Sequence, residues 1–166
     1  MVGLGFLPGG AQSQANAVSA DGSTIVGQGD TQAFRWTSSS GMVALGLLAG
    51  DTTSDALAAS SDGSTIVGWS KNTTTTRASI WDSKNGMRSL QQVLTGLGLD
   101  LSGWTLEEAT GVSADGETIV GFGLDPQGAT EAWVAVIPEP GTGLLVMIGV
   151  LGLAVRHRHA RGASLG

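Results

Sequence analysis

One nine-residue phrase occurs three times in this chain. Ser19-Ala20-Asp21-Gly22-Ser23-Thr24-Ile25-Val26-Gly27 returns as Ser60-Ser61-Asp62-Gly63-Ser64-Thr65-Ile66-Val67-Gly68 and as Ser113-Ala114-Asp115-Gly116-Glu117-Thr118-Ile119-Val120-Gly121. A repeating chain must build one local structure several times, and each copy can bury its apolar side only against a neighbour. The phrase also names that structure. Asp-Gly is a hairpin turn, because Gly supplies the positive φ that a tight turn needs. Thr-Ile-Val after it is β-branched and favours a strand.

The repeat extends beyond the phrase. Met42–Gly50 aligns with Met1–Gly9, and Ala33-Phe34-Arg35-Trp36 aligns with Ala78-Ser79-Ile80-Trp81 and with the stretch around Trp133. In the best copy the strands are expected at Ala15–Ser19, Thr24–Gly27, Ala33–Trp36 and Met42–Leu45. Ser38-Ser39-Ser40-Gly41 turns the chain in the first copy and Asn85-Gly86 in the second. The longer last interval carries the Thr73–Thr76 loop and an insertion, with a short helix expected within Arg88–Leu97. Four antiparallel strands per about 40–50 residues is the period of a β-propeller blade. The expected fold is all-β: antiparallel four-stranded repeat units resembling part of a β-propeller over residues 1–136, then one C-terminal transmembrane helix within residues 137–161. Propellers close with roughly 4–8 blades, and about three units are visible here. Met1 stands where Met42 and Met87 stand in the repeat, and Met1–Leu7 lacks the basic start of a signal peptide. The expectation is therefore an incomplete N-terminus, with an upstream stretch supplying further units and an export signal.

Ile137-Pro138-Glu139-Pro140 ends the repeats, and Gly141–Val155 carries no charge. Those fifteen residues would span roughly 22 Å as a helix, short against a hydrocarbon core of about 30 Å unless Ile137 and the flanking arginine stems extend it. Arg156, Arg158 and Arg161 follow as a basic stop, which the positive-inside tendency places in the cytoplasm. A buried helix of a soluble domain fits less well, because the run has no polar stripe and its glycines weaken a helix in water. The order of triplet, greasy helix and basic end resembles a PEP-CTERM sorting signal. That resemblance implies recognition by an exosortase-type membrane protease and cutting near Pro138, Glu139 and Pro140 with loss of the helix. It also implies a single-pass inner-membrane precursor, bulk outside the cytoplasm, that reaches the cell surface or medium. Residues 1–136 resemble HAF repeats, probable extracellular repeats often joined to such tails. Exopolysaccharide is the partner this pairing suggests.

Composition narrows the chemistry. Net charge is −6; setting aside Arg156, Arg158, Arg161 and Glu139 leaves five basic and thirteen acidic residues, or −8. Phosphates would be repelled, so nucleic acid is excluded as a partner. No Cys is present, which removes disulfides and thiolate metal sites. Both histidines, His157 and His159, lie in the tail, so the repeat region has no His-based triad or zinc site. Asp21, Asp62 and Asp115 hold equivalent places and read as turn-formers; calcium would need several oxygens per loop. Trp36, Trp81 and Trp133 read as repeat-periodic core. Trp69 and Trp104 read as packing, the alternative being a sugar-stacking platform. Glu107, Glu108 and Glu131 are the carboxylates near the unique terminal segment, where a glycosidase pair would have to be built. Asn72-Thr73-Thr74 fits a glycosylation sequon. No catalytic residue, metal or cofactor is assigned. The expected function is a non-enzymatic exported surface or extracellular-matrix protein; the alternative is a polysaccharide hydrolase or lyase on a propeller scaffold.

Overall fold

The computed structural model describes residues 1–137. Pro138, Glu139, Pro140, the expected transmembrane helix and Arg156, Arg158 and Arg161 lie outside them. The described chain is antiparallel β throughout, apart from one short helix. Strands β1 (Ser13–Val18), β2 (Thr24–Gly29), β3 (Gln32–Thr37) and β4 (Gly41–Gly46) form a first meander; β5 (Thr53–Ala59), β6 (Thr65–Lys71), β7 (Thr76–Asp82) and β8 (Gly86–Ser89) form a second. The third sheet has three strands, β9 (Thr105–Val112), β10 (Thr118–Leu124) and β11 (Thr130–Val136), where four are expected. Among the described residues nothing follows β11 to pair with its outer edge, and no helix is long and apolar enough to cross a membrane.

The Asp-Gly turns lie where expected, and each is fastened in the same way. Ser19 Oγ donates to Asp21 Oδ1 at 2.6 Å and accepts from the Thr24 amide at 3.0 Å, while the Ser23 amide donates to Asp21 Oδ1 at 2.9 Å. Ser60, Asp62, Ser64 and Thr65 repeat these contacts at 2.9, 2.9 and 3.0 Å. Ser113 and Asp115 repeat them again, with the amides of Glu117 and Thr118 donating at 3.0 and 2.9 Å. The repeated Ser is therefore needed as much as the Asp: it is the bridge between the carboxylate and the returning strand.

The repeated glycine at the end of the phrase has a steric cause. The first strand of each sheet carries a bulge at Asn16, Leu57 or Thr110, opposite Gly27, Gly68 or Gly121. The bulge brings the carbonyl oxygen of Gln14, Asp55 or Glu108 onto the glycine. A Cβ there would lie well inside the 3.0 Å that such contacts keep.

The sheets succeed one another face to face. Val26, Ala33 and Leu45 of the first meet Ala56 and Ile66 of the second, flanked by Trp81 and Met87. Val67, Ala78 and Ile80 of the second meet Leu106, Ala109, Ile119 and Ala135 of the third. Helix α1 (Leu90–Gly96) closes one end of this second core with Leu90 and Leu94, 0% and 1% exposed; the Ser89 side chain caps it by accepting from the Gln92 amide. The three sheets stack in chain order, and no closed ring forms among the described residues.

The tryptophans are less periodic than the sequence suggests. Trp36 stands opposite Ile25 and Trp81 opposite Ile66, but Trp133 stands opposite Gly121, in the slot of Phe34 and Ser79. Ala135 takes the place opposite Ile119, so the third unit has shifted its aromatic residue by two positions along β11.

Candidate functional site

The first strands β1, β5 and β9 are the inner edges of the three sheets, and their bulges gather polar groups. Asn16 Nδ2 donates to Asp55 Oδ1 at 2.8 Å and to the Ala56 carbonyl at 3.0 Å, tying the first sheet to the second. Asp55 stands opposite Trp69, and Lys71 Nζ lies 4.7 Å from the centre of the Trp69 ring. The ring of Trp69 is thus engaged by a cation of its own strand. Burial pushes the Asp55 carboxyl up to about 6, against the Ala56 amide and Asn16, which favour its charge; the Glu108 charge adds to the rise. Burial also raises Glu108, with Glu107 beside it, while Lys71 opposes the shift. Half-buried Asp55, Glu108 and Trp69 therefore share one neighbourhood with the exposed Lys71 at the inner edge.

This group could exchange a proton near neutral pH, but it does not assemble a glycosidase-like pair. Glu108 stands opposite Phe122 and Glu131 opposite Gly123. Neighbours on β10 project to opposite faces, so Glu108 and Glu131 are separated by the sheet. Trp104 packs against the core between the second and third sheets; its carbonyl accepts from Gln91 Nε2 at 2.9 Å, and Gln91 Oε1 accepts from the Leu106 amide at 3.2 Å. Asp21, Asp62 and Asp115 stand at the turns, all held below the usual carboxylate range. Hydrogen bonds from Ser19 and Ser23 lower Asp21, those from Ser64 and Ser60 lower Asp62 to about 2, and those from Ser113 and Glu117 lower Asp115. Their oxygens are occupied in fastening turns. Among the described residues no cluster of three or more acidic or imidazole groups could hold a metal.

Asp55 was not singled out by sequence, though a signal was there. Gln14, Asp55 and Glu108 each precede the bulged Ala-x-small triplet of their unit, and aligning the units outward from the Asp-Gly phrase brings them together.

Asp55 makes a prediction with a definite sign. Its folded value lies above the ordinary aspartate value of about 3.9, so the folded state holds the proton more tightly. That stabilisation is complete below about pH 4 and is lost as pH rises through about 6. Asp55→Asn keeps an acceptor for Asn16 and removes the charge. It is expected to raise stability near neutral pH by about 1 kcal/mol after allowance for solvent screening, and to change little near pH 4. Urea unfolding at the two pH values checks this.

The described strands end at Val136, and there the comparison with known families begins. The model of the PEP-CTERM protein-sorting motif matches residues 136–158. No curated protein and no solved structure matches the chain. The protein thus ends its last strand directly in a PEP-CTERM sorting motif, which marks a chain sorted by exosortase and directed to the surface or beyond it.

Proposed function

We propose that this is a non-enzymatic surface or matrix protein. Its β-repeat body is exported, held in the inner membrane by the helix within residues 137–161, and released or transferred when exosortase cuts near Pro138–Pro140. The observation that carries this reading is the match at residues 136–158, which begins on the final residue of the last described strand. Arg156, Arg158 and Arg161 hold the C-terminus in the cytoplasm while the body faces out. Pro138 and Pro140 lack backbone donors, so neither can give a ladder hydrogen bond. The repeat carboxylates support a structural body, since all three turn aspartates serve the fold. The body belongs with HAF-type extracellular repeats and propeller-like stacking, and exopolysaccharide is its partner in the layer outside the cell.

The test is fractionation of the full chain, given an export signal, in a host that makes exosortase and exopolysaccharide. The body is expected at the surface or in the matrix. Removing residues 137–161 is expected to leave it soluble in the periplasm or medium, with no membrane-held precursor. A body found in the cytoplasm, or a distribution unchanged by the truncation, would contradict the reading.

A further inference from the structure

Helix α1 belongs to the insertion and has no counterpart in the first unit, and a cleft of about 430 Å³ opens beside it. Arg77 of β7, Ser89 of β8, Gln91, Gln92 and Thr95 of α1, and Leu106 of β9 line the cleft. Its volume lies within the roughly 300–1,000 Å³ of small-molecule sites. Leu106 stands opposite Gly123, near the Leu124 end of β10. The described residues end at Ile137, whose amide donates to the Glu117 carbonyl at the other end of that strand, roughly 20 Å along it.

Arg77 meets this cleft already fixed in place. Its Nη2 pairs with Asp51 Oδ1 at 2.7 Å and donates to the Ala49 carbonyl at 2.9 Å. The Asp51 side chain is 0% exposed, and Asn72 Nδ2 donates to the same oxygen at 3.2 Å. Nη2 is thus engaged and Nε is buried, while the Arg77 side chain is 35% exposed. Nη1 is left with two hydrogens for a ligand. A side chain already locked gives up little further freedom when it binds. The arginine is also peculiar to the second unit: Gln32 and Glu131 hold its register place in the first and third sheets.

The rest of the cleft is polar and neutral. Gln91 is braced by the Trp104 carbonyl and the Leu106 amide. Thr95 Oγ1 donates to the Gln91 carbonyl at 2.8 Å, which leaves its lone pairs to accept. The Ser89 oxygen accepts from the Gln92 amide, which leaves its O–H to donate. The exposed Gln92 side chain makes no hydrogen bond among the described residues. No lining residue is acidic. One cation among hydroxyls and an amide suits one negative charge carried on a ring of hydroxyls. We propose that the cleft binds a carboxylated sugar residue, with its carboxylate on Arg77 Nη1 and its hydroxyls on Ser89, Gln92 and Thr95. This deepens the reading of exopolysaccharide as the partner, and rests on it, by assigning an acidic sugar as the unit recognised.

The test titrates the full chain, ¹⁵N-labelled and in detergent, with glucuronate, glucose and acetate. Glucuronate is expected to shift the amide signals of Gln91, Gln92, Thr95 and Leu106 to saturation. It should bind about tenfold or more tightly than glucose or acetate, as one charge-assisted hydrogen bond allows. Arg77→Gln should remove the preference for glucuronate over glucose. That change also strips Asp51 of its partner, so Gln92→Glu is the second variant. Position 92 is exposed, a glutamate three residues after the Ser89 cap favours the helix, and its charge would face the ligand's own. Gln92→Glu should weaken glucuronate about tenfold and leave glucose binding and circular dichroism unchanged. Glucose or acetate matching glucuronate, signals that move elsewhere, or Gln92→Glu without effect would overturn the proposal. Each result is read on the purified chain, so it is distinct from a failure of the exported body to reach the surface, which fractionation reads.

Discussion

Gly68→Ala is expected to destabilise the β-repeat body by about 3 kcal/mol or more, the upper range for forcing an atom into a filled site. The added methyl would collide with the Asp55 carbonyl oxygen and press on the Cα of Ala56, both backbone atoms of β5 that cannot swing aside. Relief would require the bulge at Leu57 to flatten, which moves every residue of β5 before it to the other face. Ser54 and Asp55 would exchange surroundings, and the Asn16 hydrogen bonds that join the first two sheets would be lost. Against a typical stability of about 5–15 kcal/mol this is a large share. Gly96→Ala is the control: nothing lies near that position, and the change should be neutral or stabilising by under about 1 kcal/mol. Thermal and urea unfolding of the two variants read the difference. Equal midpoints would mean that the repeated glycine is not there to admit the bulge.

The repeat made most of this architecture legible. Three Ser-x-Asp-Gly phrases locate three hairpins, and the repeat with its turns locates the strands of the first sheet. Composition could not reveal the bulges, because a bulge is a misfit between two strands and shows only when both are placed. The recurring glycine was its one trace, and the sequence alone does not separate that use from a turn. Trp133 misled for a related reason. Its spacing in the chain suits the period, but the third unit pairs β11 two positions away, and Ala135 fills the place that Trp36 and Trp81 hold. Among the described residues the third sheet has three strands where the repeat leads to an expectation of four. Asp55 escaped notice because its role depends on burial at the inner edge and on Asn16, from a different unit. The sorting motif was legible in full, since its order of triplet, apolar run and basic end is carried by sequence alone.

Glu139→Ala is expected to block processing. Among residues 137–155 Glu139 is the one charged group, placed between two prolines that fix the backbone and leave the side chain as the main distinguishing feature for a protease. A hydrogen bond to a charged group contributes about 1.5–3 kcal/mol, so its loss should cut turnover by on the order of tenfold or more. The uncut chain should accumulate in the inner membrane at full length, with the body still folded, because the substitution lies beyond the last described strand. The separation of Val136 from Glu139 matters here: a variant that misfolded would show the same loss at the surface, and circular dichroism of the retained precursor distinguishes the two.

The central claim is that the tail is an address removed on arrival. Intact-mass spectrometry of the surface or secreted form tests it most directly, in a host with the matching exosortase. The account predicts a C-terminus within Pro138–Gly141, with the apolar run and Arg156, Arg158 and Arg161 gone. A mature surface form that still carries Arg161 would contradict it.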